Sequence, residues 1–118
     1  MVQAIAKKML MIILLVGLLN PLLANNEISK VMVFGDSLSA AYGIDEQQGW
    51  VALLQQRLAQ HKPDYRVVNA SISGETTAGG AARINSAIGT FSPELIILEL
   101  GANDGLRGFP PARADAPE

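Results

Sequence analysis

Three short stretches of this chain combine glycine with groups able to work on a carbonyl carbon. The first is Val31–Gly43, VMVFGDSLSAAYG, in which four apolar residues give way at once to Gly35, Asp36 and Ser37. A serine can act as a nucleophile when it stands clear of the backbone at a tight turn, and Gly35 gives that turn room. The second stretch, ASISGET, carries Gly74, where backbone can approach a substrate closely. The third, GAND, carries Asn103, whose side-chain amide stays neutral at any pH. Acyl transfer needs hydrogen-bond donors in place before charge develops on the carbonyl oxygen. The Ser37 N–H, the Gly74 N–H and the Asn103 amide are three such donors. Each stretch alone also reads as an ordinary turn; their joint placement at three strand ends favours chemistry.

The elements that would position them follow from periodicity. Ser29–Phe34 reads as a first strand. Gln48–Gln60 has apolar residues at helical spacing, at Trp50, Val51, Leu53, Leu54 and Leu58, and HKPDY breaks it at Pro63. Arg66–Asn69 reads as a second strand. Thr76–Ile88 reads as a second helix with Ala81, Ile84 and Ile88 pointing inward, GTFSP as a turn, and Glu94–Leu100 as a third strand. A βαβαβ order predicts a parallel sheet with helices on both faces. Right-handed crossovers then give the strand order 2-1-3, the opening half of a flavodoxin-like three-layer α/β/α fold. In such sheets chemistry sits beyond the carboxyl ends of the strands, where the winding reverses. GDS and GAND meet there, with ISGET flanking.

The blocks FGDSLS, SISGET and GANDGLRG resemble, in order and spacing, the first three blocks of the SGNH (GDSL) hydrolases. The likeness spans about Val31–Phe109 and is greatest to the branch of periplasmic thioesterase I, lysophospholipases and arylesterases. It implies hydrolysis of small-molecule acyl esters and thioesters without a cofactor. It also implies Ser37 as nucleophile, with Gly74 and Asn103 as oxyanion-hole donors. Asp36 and Asp104 match motif positions too, and turn and loop hydrogen bonding, not catalysis, is the role expected of them. The family's late DxxH block, which supplies the activating aspartate and histidine, has no counterpart in this sequence.

No other residue replaces that base on sequence grounds. His61 is the single histidine. A helix of about twelve residues rises ~18 Å, which carries His61 to the opposite end of the sheet from Ser37. Glu75 and Glu99 lie nearer and could polarise a hydroxyl, but neither matches a family base. Glu118 follows Asp115 at DxxH spacing, which we read as coincidence.

Composition bounds the alternatives. Nine basic against eleven acidic residues argue against a nucleic-acid partner. Without cysteine and with one histidine, the usual zinc ligand sets are not expected. Residues 1–24 read as a signal peptide. Lys7 and Lys8 precede the apolar run Met9–Leu19, and Ala24 suits cleavage, so a periplasmic or secreted product without a membrane span is expected. Residues 25–109 then form the N-terminal part of a hydrolase domain, and the proline-rich stretch 110–118 reads as a disordered tail. The expectation is a truncated serine hydrolase, inactive as it stands. The competing expectation is a non-catalytic exported α/β fragment that at most binds acyl ligands. Either way ELIILEL would be an exposed edge strand prone to self-association.

Overall fold

The structure is a computed structural model, and it describes residues 2–5 and 27–109. The signal-peptide reading and the tail reading fall almost wholly outside these residues. Among the described residues no helix is long and apolar enough to cross a membrane.

Strand β1 (Ser29–Gly35) is the centre of the molecule. Val31–Phe34 are at most 4% exposed, as expected of a parallel strand covered on both faces. Strand β2 (Tyr65–Asn69) lies parallel on one side, with Val31 opposite Val67. Strand β3 (Leu95–Glu99) lies parallel on the other, with Val33 opposite Ile97. The order β2-β1-β3 is the one the crossover rule predicts. The first crossover runs from β1 to β2 and the second runs back from β2 past β1 to β3, so helix α1 (Trp50–His61) and helix α2 (Thr77–Phe91) take opposite faces. The result is the three-layer α/β/α arrangement.

Alternation along β1 divides its side chains between the layers. Met32 and Phe34 point to α2 and pack with Ile84, Ala87, Phe91, Ile96 and Leu100. Val31, Val33 and the bare Gly35 take the α1 face.

Helix α2 corrects the sequence reading in two respects. It runs on through Gly89 to Phe91, because Phe91 joins the core, and Ser92 closes it at φ 47°. Its buried stripe is Gly80, Ile84, Ala87 and Phe91; Ala81 is exposed and Ile88 is 38% exposed. Gly80 takes the inward place because the helix comes too close for a side chain. A Cβ there would lie 2.5 Å from Leu100 Cδ1 and 3.3 Å from the Phe34 ring.

Loops at the carboxyl ends of the strands are tied to the sheet. The Ala70 N–H donates to the Val33 carbonyl at 2.8 Å, and the Ile72 N–H to that of Gly35 at 3.0 Å. The pairing of β2 with β1 therefore continues past β2 and holds the Gly74 loop against the Ser37 turn. After β3, Gly101 (φ 120°) turns the chain into a short helix α3 (Ala102–Leu106).

Candidate active site

Ser37 stands one residue into the turn after β1. Asp36, 1% exposed, organises that turn: its Oδ1 accepts from the Leu38 N–H at 3.0 Å and its carbonyl from the Ala40 N–H at 2.9 Å. Its other carboxylate oxygen is buried without a partner among the described residues. The Ser37 carbonyl accepts from the Tyr42 N–H at 3.1 Å, whereas the Ser37 N–H has no acceptor among the described residues.

Gly74 sits at φ +83°, a conformation that strains any side-chain-bearing residue. Its N–H also has no acceptor among the described residues, while its carbonyl accepts from Arg107 Nη2 at 3.2 Å. Asn103, on α3, donates from Nδ2 to the Glu75 carbonyl at 2.9 Å. That bond orients the amide beside the Gly74 loop and leaves its second hydrogen available.

Asp104 fixes the same two loops to each other. Its carboxylate accepts from the Thr77 N–H at 2.8 Å and, in a short bond, from the Thr77 hydroxyl. These bonds, the hydroxyl's first, hold its pKa below the usual carboxylate range, and Arg107 adds to the effect. Thr77 had no place in the sequence reading; a hydroxyl just after the Gly74 loop was the only signal. Asp36 bonds within its own turn, whereas the Asp104 carboxylate reaches across to Thr77 on a neighbouring loop; both make the turn and loop hydrogen bonds expected of them.

The two nearby glutamates are engaged elsewhere. Glu75 pairs with Arg83 at 3.0 Å, and the Arg83 guanidinium lies 4.1 Å from the centre of the Phe34 ring. Glu99 does polarise a hydroxyl, but it is that of Ser39, whose Oγ donates to it at 2.7 Å. His61 is the last residue of α1, which starts near the carboxyl ends of the strands and runs back along the sheet. The structure thus gathers Ser37, Gly74 and Asn103 on adjoining strand ends and leaves His61 at the other.

A serine stands on the turn after the central strand of a 2-1-3 parallel sheet, flanked by N–H donors that have no acceptor among the described residues. Residues 33–117 match the family model described as GDSL-like Lipase/Acylhydrolase, and the chain belongs to that family. It is 60% identical over 83 residues to the esterase TesA of Pseudomonas aeruginosa, covering 70% of this chain and 41% of that protein. It is 44% identical over 85 residues to thioesterase 1/protease 1/lysophospholipase L1 of Escherichia coli, covering 72% and 39%. A crystal structure of TesA superposes with a TM-score of 0.71 at 58% identity, over 73% of this chain and 48% of that one. The chain spans about two fifths of the length of the curated relatives it matches.

Proposed function

We propose that this chain carries the nucleophile and oxyanion hole of an exported serine hydrolase of acyl esters and thioesters. One observation supports the reading: the Ser37 N–H, the Gly74 N–H and one hydrogen of the Asn103 amide have no acceptor among the described residues and lie at adjoining strand ends. Ser37 Oγ would attack the carbonyl carbon while the carbonyl oxygen, becoming negative, accepts from those donors. Collapse of the tetrahedral intermediate expels the alcohol or thiol and leaves an acyl-serine, which water then cleaves. The substrate class follows the family and the names of the relatives, esterase and thioesterase/lysophospholipase.

We expect little turnover from the chain by itself. Attack requires a base within hydrogen-bond reach of Ser37. Among the described residues His61 lies at the far end of the sheet, and Glu75 and Glu99 are committed to Arg83 and Ser39. Losing the histidine of a serine protease's triad costs on the order of 10⁶ in turnover. The test is hydrolysis of a short-chain nitrophenyl ester by the purified chain and its Ser37→Ala variant. A weak Ser37-dependent rate is expected. Turnover near that of a full-length relative, abolished by Ser37→Ala, would show that the base is present after all. The second reading, an acyl-binding fragment without catalysis, is favoured by the lack of a base near Ser37 among the described residues and predicts no Ser37-dependent rate.

A further inference from the structure

The three strand ends are joined by a partly buried polar clamp that the chemistry above does not use. Gly35 and Glu99 are register partners at the ends of β1 and β3, and Asn69 ends β2. Ser39, two residues past Ser37 and 2% exposed, folds back over Gly35. A Cβ on Gly35 would lie 2.8 Å from Ser39 Oγ, 2.8 Å from the Glu99 carbonyl oxygen and 2.9 Å from Glu99 Oε1. Ser39 Oγ donates to Glu99 Oε1 at 2.7 Å, and the Ser39 carbonyl accepts from Asn69 Nδ2 at 2.8 Å. The turn is thereby fastened to both outer strands.

We propose that Ser39, Glu99 and Asn69 are positioning residues that fix Ser37 against its oxyanion donors. The proposal rests on the reading of Ser37 as a nucleophile. The turn's other bonds to Asp36 are local, so by themselves they would let it tilt as a unit. Leu38, the residue between the two serines, is 67% exposed and does not anchor it. The clamp's two outer anchors are also the points from which the donors depart. Glu99 ends the strand that leads into Asn103, and Asn69 begins the loop that leads to Gly74, its Oδ1 accepting from the Ser71 N–H at 3.2 Å. A misplacement of about 1 Å at a reacting group can cost 10²-fold in rate, so this register matters to chemistry beyond its effect on stability.

The test compares Ser39→Ala, Glu99→Leu and Glu99→Gln in the full chain with two readouts. The first is amide hydrogen exchange at Leu38 and Ala40, with Met32 and Phe34 reporting the central strand. Ser39→Ala and Glu99→Leu should speed exchange in the turn on the order of tenfold and leave the central strand unchanged. Glu99→Gln should restore protection, because an amide oxygen still accepts from Ser39. Asn69 is exposed, so Asn69→Ala keeps the test available if a Ser39 variant does not fold.

The second readout is phosphonylation of Ser37 by an alkyl fluorophosphonate with imidazole as external base, followed by mass spectrometry. The Oγ–P bond forms, the P–F bond breaks, fluoride leaves and imidazole takes the proton. Ser39→Ala and Glu99→Leu should slow it by roughly ten- to a hundredfold, and Glu99→Gln should recover it. Unchanged exchange at Leu38 and Ala40, equal loosening of the central strand, or an undiminished phosphonylation rate would each overturn the proposal. A parent chain that is not phosphonylated at all would instead overturn the nucleophile reading, and the exchange pattern would still decide whether the clamp holds the turn.

Discussion

At the residue scale, one hydrogen-bonded carboxylate links the Gly74 loop to the Asn103 helix. The Thr77 hydroxyl and N–H favour the ionised form of Asp104, so its pKa is lower folded than unfolded. A carboxyl shifted this way stabilises the fold above its unfolded value, about 3.9. That contribution is lost as pH falls through the folded value. Thr77→Val removes the hydroxyl's hydrogen bond and should move the Asp104 titration upward toward the ordinary range, as read by carboxyl NMR. An unmoved titration would mean that the hydroxyl does not set it. Gly35→Ala probes the neighbouring contact. Because one of its clashes is with backbone, it should destabilise by about 1–3 kcal/mol in chemical denaturation. Ser37, Gly74 and Asn103 could be proposed from the sequence because each sits in a short motif. Ser39 and Thr77 were not, because their partners lie 60 and 27 residues away and only register brings them together.

Among the elements, α2 shows how packing overrides pattern. Periodicity alone pointed Ala81 and Ile88 inward, since they are the apolar members of a helical stripe. The close approach of the helix to Phe34 and Leu100 selects the residue with no side chain instead, and the stripe rotates to Gly80 and Ala87. Gly80→Val should therefore lower the denaturation midpoint, with an overpacking cost of about 1–3 kcal/mol. Ala81→Lys, on the exposed side, should stay within about 0.5 kcal/mol of the parent. Equal costs at the two positions would return the helix to the orientation read from periodicity. At the sheet's other margin, Gln55 Oε1 accepts from the Val67 N–H at 2.7 Å, so a side chain of α1 satisfies a donor on edge strand β2.

For the whole molecule, the unfinished margin is β3. Among the described residues nothing pairs with its outer side, and Leu95 and Leu98 are 55% and 61% exposed. An apolar edge of this kind invites strand pairing with another chain. We expect the chain to be marginally stable and to self-associate through β3. Sedimentation should show mass rising with concentration, and Leu98→Lys should shift it toward monomer. A monodisperse parent with a sharp cooperative thermal transition would show that β3 needs no cover.

By itself the sequence determined the order of elements, the parallel sheet with β1 at its centre, and the residues offered for acyl chemistry. These depend on local signals: apolar runs, helical spacing, glycine turns and the handedness of crossovers. Only the tertiary structure decided which glycine of α2 faces the core, which hydroxyl Glu99 engages, and how Asp104 ties two loops together. Those outcomes depend on distances between residues far apart in the chain, set by strand register and close packing. Ser39 lies over Gly35 and beside Glu99 because β1 and β3 pair in one register, and shifting β3 by a single residue would turn Glu99 to the other face of the sheet.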